Sequence, residues 1–434
     1  MLSYRPLAFA SNLSVKNHLV LAALLRLVFF AFLPGFVLAF LGSRPELSTP
    51  LTSFRRLREG LFLWASGQDP YDGGVFNHSP IYLYLFSTCA SFPAFTSLYF
   101  IAADVSVAWA LSSIWRIRSS STTTSSERRN QNWSAVISFL YLWNPHTLLM
   151  CLAKSTAAID NALVVLSIYY AVVHRPTASL LFLALSTLTS VYPALLLPFI
   201  VMILLDSTPV LRLKTDQHRT SRTVRRSIKL ITTYALLLTG VSAALRGITG
   251  SWESVMKGPS IILGIKDLTP NVGLSWYFFT EMFDHFRPFF TMVFQAHLAI
   301  YVAPLAFAFH SDPLFGLLCQ SFLISTLKTY PTVGDTALSA SFLPLFPAIF
   351  PRISYSVVII GLHVYSSVLF PLLDFLWLHA GSANANFFYA AGLVYGLGNV
   401  LLSVGVIWAG RTVEFEQSRG IMDKSRWKVI QVVD

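Results

Sequence analysis

Read as apolar and polar positions, the chain alternates long hydrophobic runs with short polar interruptions. Nearly uncharged stretches cover 19–41, 95–115, 133–143, 158–173, 180–205, 230–245, 289–309, 314–327, 337–350, 355–378 and 387–409. At about 20 residues per crossing they predict an all-α integral membrane protein with about 11 or 12 transmembrane helices, because a helix pairs its backbone groups internally in hydrocarbon. The run 178–205 must cross and return with too few residues for two full spans. Val191-Tyr192-Pro193 and Pro198 mark its break, which predicts a pair of short helices or a re-entrant hairpin. The first run is long and lacks a small-residue cleavage site, so it reads as a retained helix and not a signal peptide.

Four polar clusters interrupt these runs. They are Asn144-Pro145-His146-Thr147 leading to Lys154-Ser155-Thr156, then Asp267-Leu268-Thr269-Pro270-Asn271-Val272-Gly273, Tyr330-Pro331-Thr332-Val333-Gly334-Asp335, and Gly381-Ser382-Ala383-Asn384-Ala385-Asn386. Unwound backbone at membrane depth persists where it is buried in protein or lines a cavity, so these clusters are the candidate functional elements. The last one admits two readings, a cap with a tight turn, or a grip on a phosphate or hydroxyl group at a helix start. The third reads as a broken helix around a buried acid or as a plain connecting turn.

Composition narrows the class. Hydrophobic residues make up 54% and charged residues 12%, against roughly 25% charged in a soluble domain, which excludes a water-soluble globule. The net charge of +11 collects in 116–129, 206–229 and 410–434, beside apolar helices, and so reports positive-inside topology and not nucleic-acid binding. These segments are placed in the cytosol as loops and a tail, with both termini cytosolic. The segment 42–93 and the four clusters then lie on the opposite face. On this topology Asn77-His78-Ser79 is non-cytosolic, whereas Asn12-Leu13-Ser14 and Asn132-Trp133-Ser134 are cytosolic. The polar run 119–126 is a linker without chemistry, and 1–434 forms one membrane-embedded domain.

Within 42–93, Thr52 or Ser53 begins a helix whose Leu51, Phe54, Leu57, Leu61 and Trp64 share one stripe while Arg55, Arg56 and Arg58 face elsewhere. This predicts a helix lying on the bilayer, its arginines either solvated or against phosphates. Cys89, Cys151 and Cys319 are far apart in apolar surroundings, which reads as packing. No acid, base, nucleophile or metal set has motif-grade spacing. Arg26 and Asp104 are expected to pair between the first two long helices. Lys154 and Asp160 are expected at a helix terminus where the lysine meets an anion.

The four clusters also carry a resemblance. Asn144-Pro145 with Cys151 to Thr156, Asp267 to Asn271 with Gly273 to Phe279 and Glu281-Met282-Phe283, Tyr330 to Asp335, and Ala380 to Asn384 with Asn386 to Tyr389 resemble the PIG-U family along nearly the whole chain, together with Ser79-Pro80 to Phe86. That family is a multi-spanning subunit of the glycosylphosphatidylinositol (GPI) transamidase in the endoplasmic reticulum membrane. The resemblance implies a non-catalytic subunit that helps recognise and present the GPI lipid. It implies as partners a PIG-K-type cysteine protease subunit, PIG-T, PIG-S and Gaa-type subunits. It extends distantly to PIG-M-type mannosyltransferases, which implies a GT-C-like architecture, echoed by Asp69-Pro70-Tyr71 and Ser79-Pro80. Those enzymes use an acidic pair after the first helix, whereas here Glu46 stands without a second acid nearby in Gly42-Ser43-Arg44-Pro45-Glu46-Leu47. A lipid-linked mannosyltransferase and a transporter are the alternative functions. The combined reading nominates Ser382, Asn384, Asn386, Phe387 and Phe388, with Tyr330, Asp335, Asn271 and Lys154, as GPI-binding residues. It assigns no catalytic residue, metal or cofactor.

Overall fold

The apolar runs form helices, as the cost of unpaired backbone in hydrocarbon requires. The computed structural model describes residues 13–88, 93–120, 127–205 and 217–419. The described residues contain helices and no strand. The first third holds α1 (Val15–Phe32), α2 (Gly35–Ser43), α3 (Phe54–Ala65), α4 (Pro80–Ser87) and α5 (Pro93–Ser120). Next come α6 (Glu127–Leu142), α7 (Pro145–Leu152), α8 (Ala157–Val172), α9 (Pro176–Thr189) and α10 (Leu197–Leu205). The second half holds α11 (Gln217–Thr249), α12 (Trp252–Gly264), α13 (Ser275–Thr280), α14 (Arg287–Ile300) and α15 (Val302–Ala308), then α16 (Pro313–Leu327), α17 (Val333–Ser341), α18 (Ser356–Leu378) and α19 (Ala385–Ser418).

Six stretches among the described residues are long and apolar enough to cross a bilayer, at α1, α5, α11, α14 with α15, α18 and α19. A seventh appears if α6 and α7, bent by 49°, count as one broken span; α8, α9, 192–205 and α16 are shorter apolar helices. Of the 11 or 12 crossings expected, six among the described residues, or seven with the bent pair, have the length and apolarity of a span, and the run 337–350 is broken between α17 and two 3₁₀ turns. In 178–205 the break falls where proline predicted it, α9 giving way to a 3₁₀ turn at Tyr192–Leu196 and then α10. The expectation of loops for the basic segments needs correction. The described part of 206–229 begins α11, and 410–418 continues α19, because lysine and arginine are good helix formers that extend an already nucleated span. Cys89, Asn12, 121–126, 206–216 and 420–434 lie outside the described residues.

The two ends of the long helices differ in chemistry. At one end Arg118 pairs with Asp312, Arg352 with Glu416, and Arg411 with Glu414. The four polar clusters lie toward the other. At about 1.5 Å per residue, the 28 residues of α5 separate these ends by about 42 Å.

Arg26 and Asp104 pair as the sequence suggested, and they are deeply buried. The Arg26 Nε donates to Asp104 at 2.9 Å, its Nη2 donates to the Leu142 carbonyl at 3.0 Å, and the Tyr141 hydroxyl donates to Asp104 at 3.3 Å. One guanidinium therefore joins α1, α5 and the end of α6. Removing one partner from a buried pair leaves an uncompensated charge, so Asp104→Ala should lower stability by about 3–5 kcal/mol. Thermal unfolding in detergent measures this, and the double change Arg26→Met, Asp104→Leu should recover most of the loss.

Candidate functional site

The four clusters meet over a single apolar base. Met150, Val272, Trp276, Val333 and Phe388, drawn from or beside each cluster, belong to one buried hydrophobic group with Leu47, Phe370 and Tyr395. Gly334 is required for that approach, since a Cβ there would collide with the Met150 sulfur. Above this base the unwound segments satisfy one another's backbones. Thr156 N–H donates to Thr52 C=O at 2.9 Å, Val333 N–H to Glu46 C=O at 3.0 Å, and Asp267 N–H to the Tyr330 hydroxyl oxygen at 3.1 Å.

Each cluster begins or ends a helix by local chemistry. Asn144 caps α7 through His146 N–H at 2.9 Å. Thr332 and Asp335 form a reciprocal capping box at the start of α17, and Asp335 also meets Lys328 at 2.6 Å. Gly381 takes a left-handed φ of 65° as the chain turns out of α18, and Asn384 caps α19 through Asn386 N–H at 3.1 Å. The cap reading of 381–386 is thus realised. Ser382, Asn384, Asn386 and Phe387 nevertheless remain exposed. The Tyr277 hydroxyl donates to the Asn386 side-chain Oδ1, which ties this rim to α13.

The other nominated residues are placed differently. Phe388 does not face outward beside Phe387, a correction that follows from successive helical residues pointing about 100° apart. Its ring is fully buried, with ring centroids 5.5 Å from Phe370 and 6.3 Å from Trp276 and Trp377. Asn271 is buried, bonding Gly273 N–H at 2.7 Å and Thr269 C=O at 3.2 Å. Tyr330 is buried behind Asp267. Lys154 and Asp160 do not share a site. The Lys154 ammonium lies over Phe30 and Phe54, 5.4 and 5.3 Å from their centroids, and near Thr96 at 3.4 Å. Asp160 accepts from the Tyr82 hydroxyl and, with Asn161, Lys328 and Asp335, lines a partly open pocket of about 60 Å³. That volume accommodates water, which needs about 10–15 Å³ and several polar partners.

Residues 42–88 close one side of this face. Helix α3 forms over 54–65 with Leu57 buried, while Arg55 and Arg58 are exposed. Arg56 is partly buried and pairs with Asp267 at 2.7 Å. Burial opposes charge on Asp267, yet hydrogen bonds from Thr269 and Arg56, with the Arg56 charge, hold its carboxyl below the usual range. Asn77 is buried against Arg56 and Asp267, leaving no room for a glycan in the folded chain. Beside them Glu253, Lys257, Ser260 and Lys266 wall a groove of about 520 Å³.

Two features escape a linear reading. Tyr277 reaches Asn386 across 109 positions, and Asp374 meets Arg44 at 2.5 Å across 330. Arg44 also holds Glu46 at 2.9 Å, so Glu46 has an acid neighbour after all, with the arginine between them. Burial pushes the Glu46 carboxyl up against the pull of Arg44. The aromatic run 276–279 was a visible signal, and Asp374, an acid within an apolar run, signalled a buried partner without saying which.

A sequence model of the family described as GPI transamidase subunit PIG-U matches residues 20–395. Curated relatives agree. The chain is 32% identical over 407 residues to the mouse (Mus musculus) GPI-anchor transamidase component PIGU, covering 88% of this chain and 91% of the relative. It is 32% identical over 409 residues to the Homo sapiens protein of the same description, with the same coverage. It is also 32% identical over 373 residues to the Saccharomyces cerevisiae GPI transamidase component GAB1, covering 86% and 88%.

His78 yields a pH prediction. Its ring is fully buried between Phe76 and Tyr82, neither nitrogen has a hydrogen-bond partner among the described residues, and burial followed by the nearby Arg56 charge pushes its pKa down to about 3. Between pH 6.5 and about 3 the unfolded chain binds a proton there that the folded chain refuses. The contribution is therefore complete above pH 6.5 and falls by about 1.4 kcal/mol per unit as pH drops. Unfolding midpoints at pH 7 and pH 5 should show this loss, and His78→Phe should flatten the slope.

Proposed function

The chain belongs to the PIG-U family of GPI transamidase subunits, and we propose that within the transamidase it is a non-catalytic subunit that recognises the GPI lipid and presents it for attachment to the carboxyl terminus of precursor proteins. The observation that carries this reading is the exposed rim of Ser382, Asn384, Asn386 and Phe387 at the start of α19, set on the apolar base shared by all four clusters. Exposed carboxamides and a helix amino terminus favour a phosphate-bearing group, and Phe387 favours the adjoining lipid. Tyr277 joins this grip through Asn386. Asn271, Tyr330, Asp335 and Phe388 support it from beneath, and Lys154 stands apart.

The reading has the rim facing the lumen of the endoplasmic reticulum and the arginine-rich opposite end facing the cytosol with both termini, in keeping with positive-inside topology. Its partners are a PIG-K-type cysteine protease subunit, PIG-T, PIG-S and Gaa-type subunits. A non-catalytic role is supported by the state of the reactive groups. The Cys151 and Cys319 thiols are free but buried, and the Glu46 carboxylate is engaged by Arg44. A transamidase complex with Cys89, Cys151 and Cys319 all changed to serine or alanine should retain turnover per assembled complex. Abolished turnover at normal assembly would refute the non-catalytic assignment.

The rim is tested by separating the cap from the grip. Asn384→Asp and Asn384→Ser both preserve a helix cap, since all three side chains accept from the helix amides, but they remove the carboxamide donor. A hydrogen bond to a charged group is worth roughly 1.5–3 kcal/mol, so GPI binding by the intact complex should weaken by about ten- to a hundredfold, with aspartate worse than serine. Asn386→Ala should act in the same direction. Unchanged GPI affinity in Asn384→Ser, Asn386→Ala would reduce the rim to a structural cap.

A further inference from the structure

The span 284–308, which contains α14 and α15, is little buried by the rest of the chain. Phe289, Met292, Val293, Ile300 and Phe307 are exposed along it, at offsets of three, four and seven that make one helical face. His297 is exposed on the same face, within one residue of the midpoint of the span. At 1.5 Å per residue it lies about 16–20 Å from either end.

An imidazole at that depth is out of place against lipid tails. Its Nε2 lies 2.7 Å from the Tyr301 hydroxyl, one turn away, and among the described residues that is its single hydrogen bond. In either tautomer one polar valence remains, an Nδ1–H donor or an Nδ1 lone pair beside the free tyrosine proton. His363, in α18, shows how this chain accommodates such a ring internally. Its Nδ1 lies 2.8 Å from the Ile359 carbonyl oxygen and its Nε2 2.8 Å from Asn399. His297 has no equivalent, and its side chain is too short to reach the interface as lysine or arginine does.

We propose that the His297 face of α14 and α15 docks a transmembrane helix from another transamidase subunit, one that presents a hydrogen-bonding side chain to His297 near the bilayer midplane. Depth identifies the occupant as protein, because lipid headgroups and water do not reach His297. The face suits a helix: Ala296 and Ala303 are exposed on the same side as Phe289 and Phe307, and small residues permit close backbone approach. This inference rests on membership of the transamidase complex and is independent of the rim at Asn384.

The test places p-benzoylphenylalanine at positions 293, 297 and 300 of the full chain, in membranes containing the assembled transamidase, and irradiates. Positions 297 and 300 should form adducts with the transmembrane segment of one other subunit, identified by mass spectrometry. His297→Leu should lower retention of that subunit by about three- to twentyfold, the range of interhelical hydrogen bonds in membranes, while His297→Gln keeps most of it. The unfolding temperature of the isolated chain should not fall in either variant, because the side chain is exposed. Adducts with lipid alone, adducts with a second copy of this chain, or unchanged retention in His297→Leu would overturn the proposal. A chain that still assembles but labels only lipid at 297 would remove this docking face and leave the transamidase assignment standing.

Discussion

Every stretch of unwound backbone at membrane depth must find its hydrogen bonds within the protein, and the architecture around the candidate site follows from that requirement. Thr156, Val333 and Asp267 each leave helical geometry or have yet to enter it, and each amide is received by a group from a distant segment, at Thr52, Glu46 and Tyr330. These bonds force the segment after α2, the turn before α8, the loop before α13 and the start of α17 to one place. The apolar base of Met150, Val272, Trp276, Val333 and Phe388 then seals them from below. Breaks in the helices are therefore the means by which one face acquires polar groups that remain ordered.

Buried charge is handled by the same economy of partners. Arg26 contacts Asp104 and two backbone carbonyls, so desolvation is offset by several hydrogen bonds and three helices share one anchor. Arg44 does comparable work nearer the site, holding Glu46 and Asp374 and the Phe370 carbonyl at 3.3 Å. The two carboxylates give that cluster the composition of an acidic pair, while the guanidinium between them makes it an ion cluster linking the segment after α2 to α18. The spans least covered by the chain itself, including α11, α14 with α15, and α18, leave apolar faces free. In a component of a larger complex such faces divide between lipid and neighbouring helices, and a polar group at mid-depth distinguishes one from the other.

Much of this was legible in one dimension. Apolar run length determined the membrane class and the helices, proline placed the break at Val191-Tyr192-Pro193, and the polar interruptions marked the four clusters, because each signal depends on residues within a few positions of one another. The cap at Asn384, the helix over 54–65 and the pairing of Arg26 with Asp104 followed from similarly local or class-level rules. Tertiary structure decided what faces where. It turned Phe388 inward and left Phe387 outward, sent Lys154 and Asp160 to different surroundings, engaged Arg56 with Asp267, and brought Asp374 to Arg44 across 330 positions. A helix start is written in its own few residues, but exposure and partnership depend on which other helix packs there, and that is settled by contacts the linear order does not encode.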